Sequence, residues 1–159
     1  VCNGLVRYAL GIHRRYNTMR WGDIPGMREY LRNLSKKTGM KVVAVTMNLR
    51  EMLYPNVKCY DAGPCEFLSL IEHADYVVTN SFHATAFSLI FRKKLMVFTP
   101  HGAGPSRLTS ILTTAGLMDR VCDKDCAPIE TEIDYDRVWA RLTPFVARSK
   151  QFLEKNLED

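Results

Sequence analysis

Asp75-Tyr-Val-Val-Thr-Asn-Ser-Phe-His-Ala-Thr-Ala-Phe-Ser-Leu-Ile-Phe91 changes its period in the middle. Tyr76 to Thr79 is an unbroken apolar run, the signature of a strand covered on both faces. Beyond Asn80-Ser81 the apolar residues fall on one side of a helix, and His83 lies in its first turn. A strand that opens directly into a helix leaves the first backbone N–H groups pointing outward without partners. That end carries partial positive charge and suits an anion. A histidine placed there can move a proton beside a bound anion.

On either side of this stretch the chain alternates strands and helices. Leu5 to Ile12 reads as a first strand, and the polar segment to Pro25 as a loop. Met27, Tyr30, Leu31 and Leu34 have helical spacing, with Gly39 as the stop. Lys41 to Met47 is β-branched without alternation, and Val57 to Tyr60 is a candidate short strand. Pro64 and Glu66 mark the start of a helix running to about Ala74, with Phe67, Leu68 and Ile71 facing inward. Leu95 to Thr99 is a further strand, followed by the glycine-rich loop Pro100-His-Gly-Ala-Gly-Pro105. A helix then opens at Ser106 or Ser110 and closes at Gly116, and Met118 to Cys122 reads as a short edge strand. Tyr135 to Leu157 is a long amphipathic helix with Val138, Leu142, Phe145, Phe152 and Leu157 toward the core, which Pro144 is expected to kink or divide. Alternation of this kind predicts an α/β fold: one doubly wound, mostly parallel sheet with helices on both faces. Ligands in such folds lie beyond the C-terminal strand ends. Three loops gather there: Asn48 to Arg50, Asn80 to Thr85, and Pro100 to Arg107.

Composition narrows the class. The chain has 159 residues, 47% hydrophobic and 25% charged, the profile of a globular domain with a real core. No apolar run approaches the ~20 residues of a membrane span, and the start does not read as a signal peptide. Val1 in place of Met suggests a piece of a longer protein. Net charge is +5, with the first fifty residues strongly basic and the remainder slightly acidic. The basic part suits a solvated face, or a surface toward an anionic polymer, lipid headgroups or a phosphorylated substrate. Aromatics do not interleave with it, which argues against nucleic acid. Five cysteines (Cys2, Cys59, Cys65, Cys122 and Cys126) are an odd number in a chain of ordinary size, so a disulfide framework is not expected. The last four could supply a zinc site only with spacings unlike the short C-x₂-C knuckle. Idle thiols in a reducing cytoplasm are the expectation, and no metal site is assigned.

Candidate site residues follow from the three loops. A helix N-terminus disfavours added positive charge, so His83 is placed to act as a base; the same position suits a histidine that only caps or packs. Asn80 and Ser81 are N-cap candidates, and the hydroxyls of Thr79 and Thr85 lie within reach of an anion or serve the backbone. Arg107 follows the glycine-rich loop and could grip a carboxylate or phosphate through both guanidinium arms, or be a surface arginine. His101 lies in that loop, whose glycines match neither a Walker motif nor a dinucleotide fingerprint. Glu66 is a dipole-favoured first-turn residue with a pocket role as the alternative.

Gly63-Pro-Cys-Glu-Phe-Leu68, then Ile71, then Ala74-Asp-Tyr-Val-Val-Thr-Asn-Ser-Phe-His83, then Phe87-Ser88 and Phe91, resembles the polysaccharide pyruvyl transferase family. Arg107-Leu, Ile111-Leu112, Gly116-Leu, Asp119-Arg120, Ser149 and Phe152-Leu153 also fit. The resemblance runs from about Lys41 onward. It implies a Rossmann-like half of a two-domain GT-B-type fold, with residues 1–159 as the C-terminal domain of a longer protein whose N-terminal domain is missing. It also implies transfer of a pyruvyl group from phosphoenolpyruvate, as donor substrate without a separate cofactor, to two hydroxyls of a cell-surface polysaccharide sugar, forming a ketal. In that chemistry His83 would be the general acid/base. Arg107 and the Ser81 helix end would bind the anionic groups. Two positions depart from the pattern: Ser81 stands where many members have arginine, and Ala84 where many have glycine.

Two other readings share these residues: a nucleotide-sugar-dependent GT-B glycosyltransferase, and a non-catalytic binding domain of the same fold. The expected partners are a sugar or polysaccharide-precursor acceptor, the missing N-terminal domain and, peripherally, a membrane surface. The expected location is the cytoplasm, and the isolated domain is expected to be inactive because half of its cleft is absent.

Overall fold

Strand residues of alternating parity fall into two separate apolar clusters, which defines a sheet covered on both faces. The computed structural model describes residues 8–12, 26–45, 57–60, 63–99, 107–122, 126–129 and 131–157. Its elements are β1 (Tyr8–Ile12), α1 (Met27–Thr38), β2 (Lys41–Val45), β3 (Val57–Tyr60), α2 (Pro64–His73), β4 (Tyr76–Thr79), α3 (Phe82–Ile90), β5 (Lys94–Phe98), α4 (Arg107–Ala115), β6 (Val121–Cys122) and α5 (Tyr135–Leu157). The six strands pair in the order β3-β2-β1-β4-β5-β6, and every pair is parallel. This is the 3-2-1-4-5-6 order of a doubly wound Rossmann-like sheet.

The two faces divide the core. Leu10, Val43, Val77, Leu95 and Val97 join Ile71, Leu89, Leu112 and Val138 under α2 to α5. Their chain neighbours Ala9, Ala44, Tyr76, Val78, Met96 and Phe98 point the other way, onto Met27, Tyr30, Leu31 and Leu34 of α1. Burial on both sides is why these strands read as continuous apolar runs. The α1 face is also covered by the segment 126–129. There Ile129 donates its N–H to the Tyr30 hydroxyl at 3.1 Å and accepts from the Tyr76 hydroxyl at 2.8 Å. Tyr30 and Tyr76 hydroxyls lie 2.8 Å apart. Tyr76 spends its proton on Ile129, so Tyr30 donates to Tyr76 and the ring of three bonds closes.

Helix ends follow the expected chemistry. Gly39 closes α1 at φ 71°, its N–H on Ser35 O. Gly116 (φ 72°) and Leu117 bond back to Thr113 and Leu112, the paired bonds of a Schellman end. Arg120 is buried, and its guanidinium donates to Asp119 Oδ2, Thr131 O and Thr131 Oγ1. It ties the end of the sheet to the segment that leads into α5.

Several expectations need correction. Met118 to Cys122 is one 3-10 turn, Met118–Arg120, followed by a two-residue strand. Helix α4 starts at Arg107, with Ser110 inside it; Ser106 lies outside the described residues. On α2, Leu70 rather than Leu68 joins Phe67 and Ile71 against the core. Helix α5 is not divided at Pro144, which lies inside it. The carbonyl that Pro144 leaves without an amide partner belongs to Ala140, which is exposed, so water can satisfy it. Only Tyr135, Val138 and Leu142 of α5 are buried, whereas Phe145, Phe152 and Leu157 are exposed. Cys122 and Cys126 form a disulfide, with Cα atoms 6.0 Å apart, within the usual span of such bonds. The odd cysteine count argued against a framework of bridges but not against one local bridge, and this pairing removes the four-thiolate zinc alternative. Cys65 is a free, exposed thiol.

Candidate active site

The strand order reverses between β1 and β4, which lie side by side. In an open parallel sheet a crevice forms beyond the strand ends at such a switch point, and ligands occupy it. The β4–α3 junction stands at that place, so the topology selects the same stretch as the periodicity.

The junction is built from hydroxyls used on the backbone. Thr79 Oγ1 accepts the Ser81 N–H at 2.9 Å. Ser81 is the N-cap of α3, its Oγ 3.5 Å from the Ala84 nitrogen. That contact is long, at the limit of a hydrogen bond. Thr85 Oγ1 donates to Ser81 O at 2.9 Å, and Ser88 Oγ to Ala84 O at 2.7 Å. Thr79 and Thr85 are fully buried, and Asn80 and Ser81 nearly so. The threonine hydroxyls thus shape the turn from within, whereas the backbone of the first α3 turn presents the donor end.

What faces solvent is a triad of different character. His83 is exposed, and Phe82 beside it is half-buried. Their rings meet edge to face, centroids 5.9 Å apart. The Arg107 guanidinium lies over the Phe82 ring at 5.3 Å from its centroid. Phe82 therefore touches both the imidazole and the guanidinium at the N-terminus of α3. The cation-π contact at such an exposed place contributes about 0.5–1 kcal/mol, enough to bias the arginine's position without fixing it. Among the described residues no hydrogen bond occupies the His83 imidazole.

The structure thus brings together Thr79, Asn80, Ser81, His83, Thr85 and Arg107, drawn from two of the three expected loops. Glu66 is exposed in the first turn of α2, with its carboxylate folded over the N-cap Gly63. A Cβ on Gly63 would sit 2.7 Å from Glu66 Oε2, so the absence of a side chain there admits that carboxylate. The carboxylate lies at the N-terminal end of α2, where the helix dipole favours negative charge. His101 and the segment Asn48 to Arg50 lie outside the described residues. Phe82, the aromatic that joins histidine to arginine, was not singled out from the sequence. Its place between a cap serine and an exposed first-turn histidine was the available signal. No group of three or more metal-ligating side chains occurs among the described residues. None of their helices is long and apolar enough to cross a membrane.

Fold and junction together define a doubly wound α/β domain with a helix N-terminus, a histidine and an arginine at its switch point. The chain belongs to the polysaccharide pyruvyl transferase family, whose model matches residues 18–102. No curated protein matches it. Among solved structures it is similar to the glycosyltransferase SnogD from Streptomyces nogalater, with TM-score 0.48 and 16% identity, over 85% of this chain and 35% of that one. The chain therefore spans about a third of that structure's length.

Proposed function

We propose that this chain is the C-terminal, Rossmann-like half of a pyruvyl transferase-like enzyme with a GT-B-type cleft, acting in cell-surface polysaccharide synthesis. The observation that carries the reading is the contact of both His83 and Arg107 with Phe82 at the N-terminus of α3. Ketal formation from phosphoenolpyruvate needs positive potential for a phosphate and a carboxylate. It also needs a group that delivers a proton to the enol and takes one from a sugar hydroxyl. The α3 N-terminus and Arg107 supply the first requirement and His83 the second. With serine at position 81 committed to the turn, Arg107 is the cation this junction offers to the donor's anionic groups.

The test is turnover of phosphoenolpyruvate and a sugar acceptor by the full-length protein, followed as phosphate release. His83→Ala should lower kcat by roughly 10²–10⁴-fold, the usual contribution of a positioned acid/base. It should leave the melting temperature unchanged, because the side chain is exposed and carries no hydrogen bond among the described residues. An unchanged kcat would remove His83 from the chemistry. Ser81 in the place of the family's frequent arginine favours one second reading, a nucleotide-sugar donor. Titration with nucleotide-sugars and with phosphoenolpyruvate separates the two, and binding of the nucleotide-sugar alone would overturn the first.

A further inference from the structure

The segment 126–129, which covers part of the α1 face, is tied to the edge of the sheet by a covalent bond. The disulfide joins Cys126 to Cys122, the last residue of β6. Cys126 and Ile129 pack on the apolar cluster that α1 covers. Ile129 also shares its N–H and its carbonyl with the Tyr30 and Tyr76 hydroxyls. Farther along the chain, the buried Arg120 guanidinium holds Thr131.

The two sulfurs are not equivalent. Cys122 is 1% exposed, whereas Cys126 is half-buried. Access helps decide which sulfur a thiolate attacks, so a reductant meets Cys126 Sγ. Its attack forms a mixed disulfide at Cys126 and breaks the bridge, and Cys122 leaves as a thiolate that takes up a proton. The second thiol of a dithiol reductant then displaces Cys126 in the same way. The protein ends with two thiols and the reductant as a disulfide. Cys122 keeps its place after reduction, because β6 stays paired with β5 and the Cys122 carbonyl accepts the Thr99 N–H at 3.0 Å. Cys126 follows at a sequence separation of 4, so the two Cα atoms can part by no more than about 14 Å. The thiols therefore remain close enough for a small-molecule disulfide to close the bridge again. A bridge over so short a loop removes less chain entropy from the unfolded state than a long-range one. Its effect falls on the segment it anchors, whose hydrogen bonds to two hydroxyls are individually weak.

We infer that the Cys122–Cys126 bridge is a redox-sensitive clamp. Oxidised, it holds the segment 126–129 on the α1 face; reduced by a dithiol, it lets that segment open and releases the Tyr30 and Tyr76 hydroxyls from Ile129. The inference is independent of the reaction at His83. It is tested by adding dithiothreitol to the natural full-length protein under native conditions, then alkylating the thiols and locating them by mass spectrometry. Cys122 and Cys126 should become alkylated while the protein stays folded by circular dichroism. Hydrogen exchange at the Ile129 amide should quicken at least ~10-fold and cease to depend on low urea, the mark of local opening. The amides of Val77 and Val78 in β4 should continue to follow global unfolding. Cys126→Ser should show the same fast Ile129 exchange without any reductant. A bridge that dithiothreitol opens only after urea unfolds the protein is a fixed staple and overturns the inference. So does an Ile129 amide that, in the reduced protein or in Cys126→Ser, exchanges as slowly as in the oxidised one or in step with Val77 and Val78.

Discussion

Removing one hydroxyl, in Tyr76→Phe, should destabilise the fold far more than the loss of one oxygen suggests. Tyr76 is 1% exposed and sits on the central strand β4. Its hydroxyl donates to Ile129 O at 2.8 Å and accepts from Tyr30 at 2.8 Å. Phenylalanine keeps the ring and leaves no cavity, but it strands the Tyr30 proton and the Ile129 carbonyl. Each buried polar group left unpaired costs about 1–3 kcal/mol. Because Ile129 is only half-buried, water can relieve its carbonyl, so the expected cost is about 2–3 kcal/mol. For a chain of this size that lowers the melting temperature by roughly 4–12 °C. Tyr30→Phe strands only the Ile129 N–H and should cost about 1–2 kcal/mol. In the double substitution both hydroxyls are gone together, so its cost should fall short of the sum of the single costs by about 1 kcal/mol. Urea unfolding followed by circular dichroism measures all three. Strict additivity, or a cost below about 0.5 kcal/mol for Tyr76→Phe, would refute the closed ring of hydrogen bonds.

Burial also raises the Tyr76 phenol well above its ordinary range, helped by the Tyr30 hydroxyl, and burial raises Tyr135 as well. Below about pH 10 these groups are protonated in folded and unfolded chains alike and contribute no pH dependence. Above it the unfolded chain loses protons that the folded one keeps, so stability should fall by up to about 1.4 kcal/mol per pH unit for each tyrosine. Urea midpoints between pH 9 and 11.5 check this, and Tyr135→Phe should roughly halve the slope. At the site, Arg107→Ala should raise KM for the anionic donor about tenfold or more, as expected for a charge-assisted contact. Phe82→Leu, which removes only the stacking platform, should cost about 2–5-fold; steady-state kinetics of the full-length protein resolve the two.

How much of this was legible depends on the range of the interaction. The strands announced themselves because burial on both faces demands unbroken apolar runs, and the helix ends because Gly39 and Gly116 adopt positive φ. The β4–α3 junction could be read because cap, turn and first-turn histidine are neighbours in sequence. Arg107 could be nominated but not placed, since its position depends on α4 packing beside α3. Phe82 escaped notice because an aromatic in a first turn reads as ordinary packing until its neighbours in space are known. The Cys122–Cys126 bridge was missed because parity counts cysteines without measuring them.

Helix α5 shows the limit from the other direction. The period of Val138, Leu142, Phe145, Phe152 and Leu157 correctly reports an amphipathic helix, but a period records that a side is apolar and not what covers it. The described part of the sheet buries the first two turns, as far as Leu142, and beyond that no described residue covers the stripe. The basic residues at its borders do not name the cover either, because lysine and arginine flank the apolar seam between two helices as readily as they reach phosphates at a membrane surface.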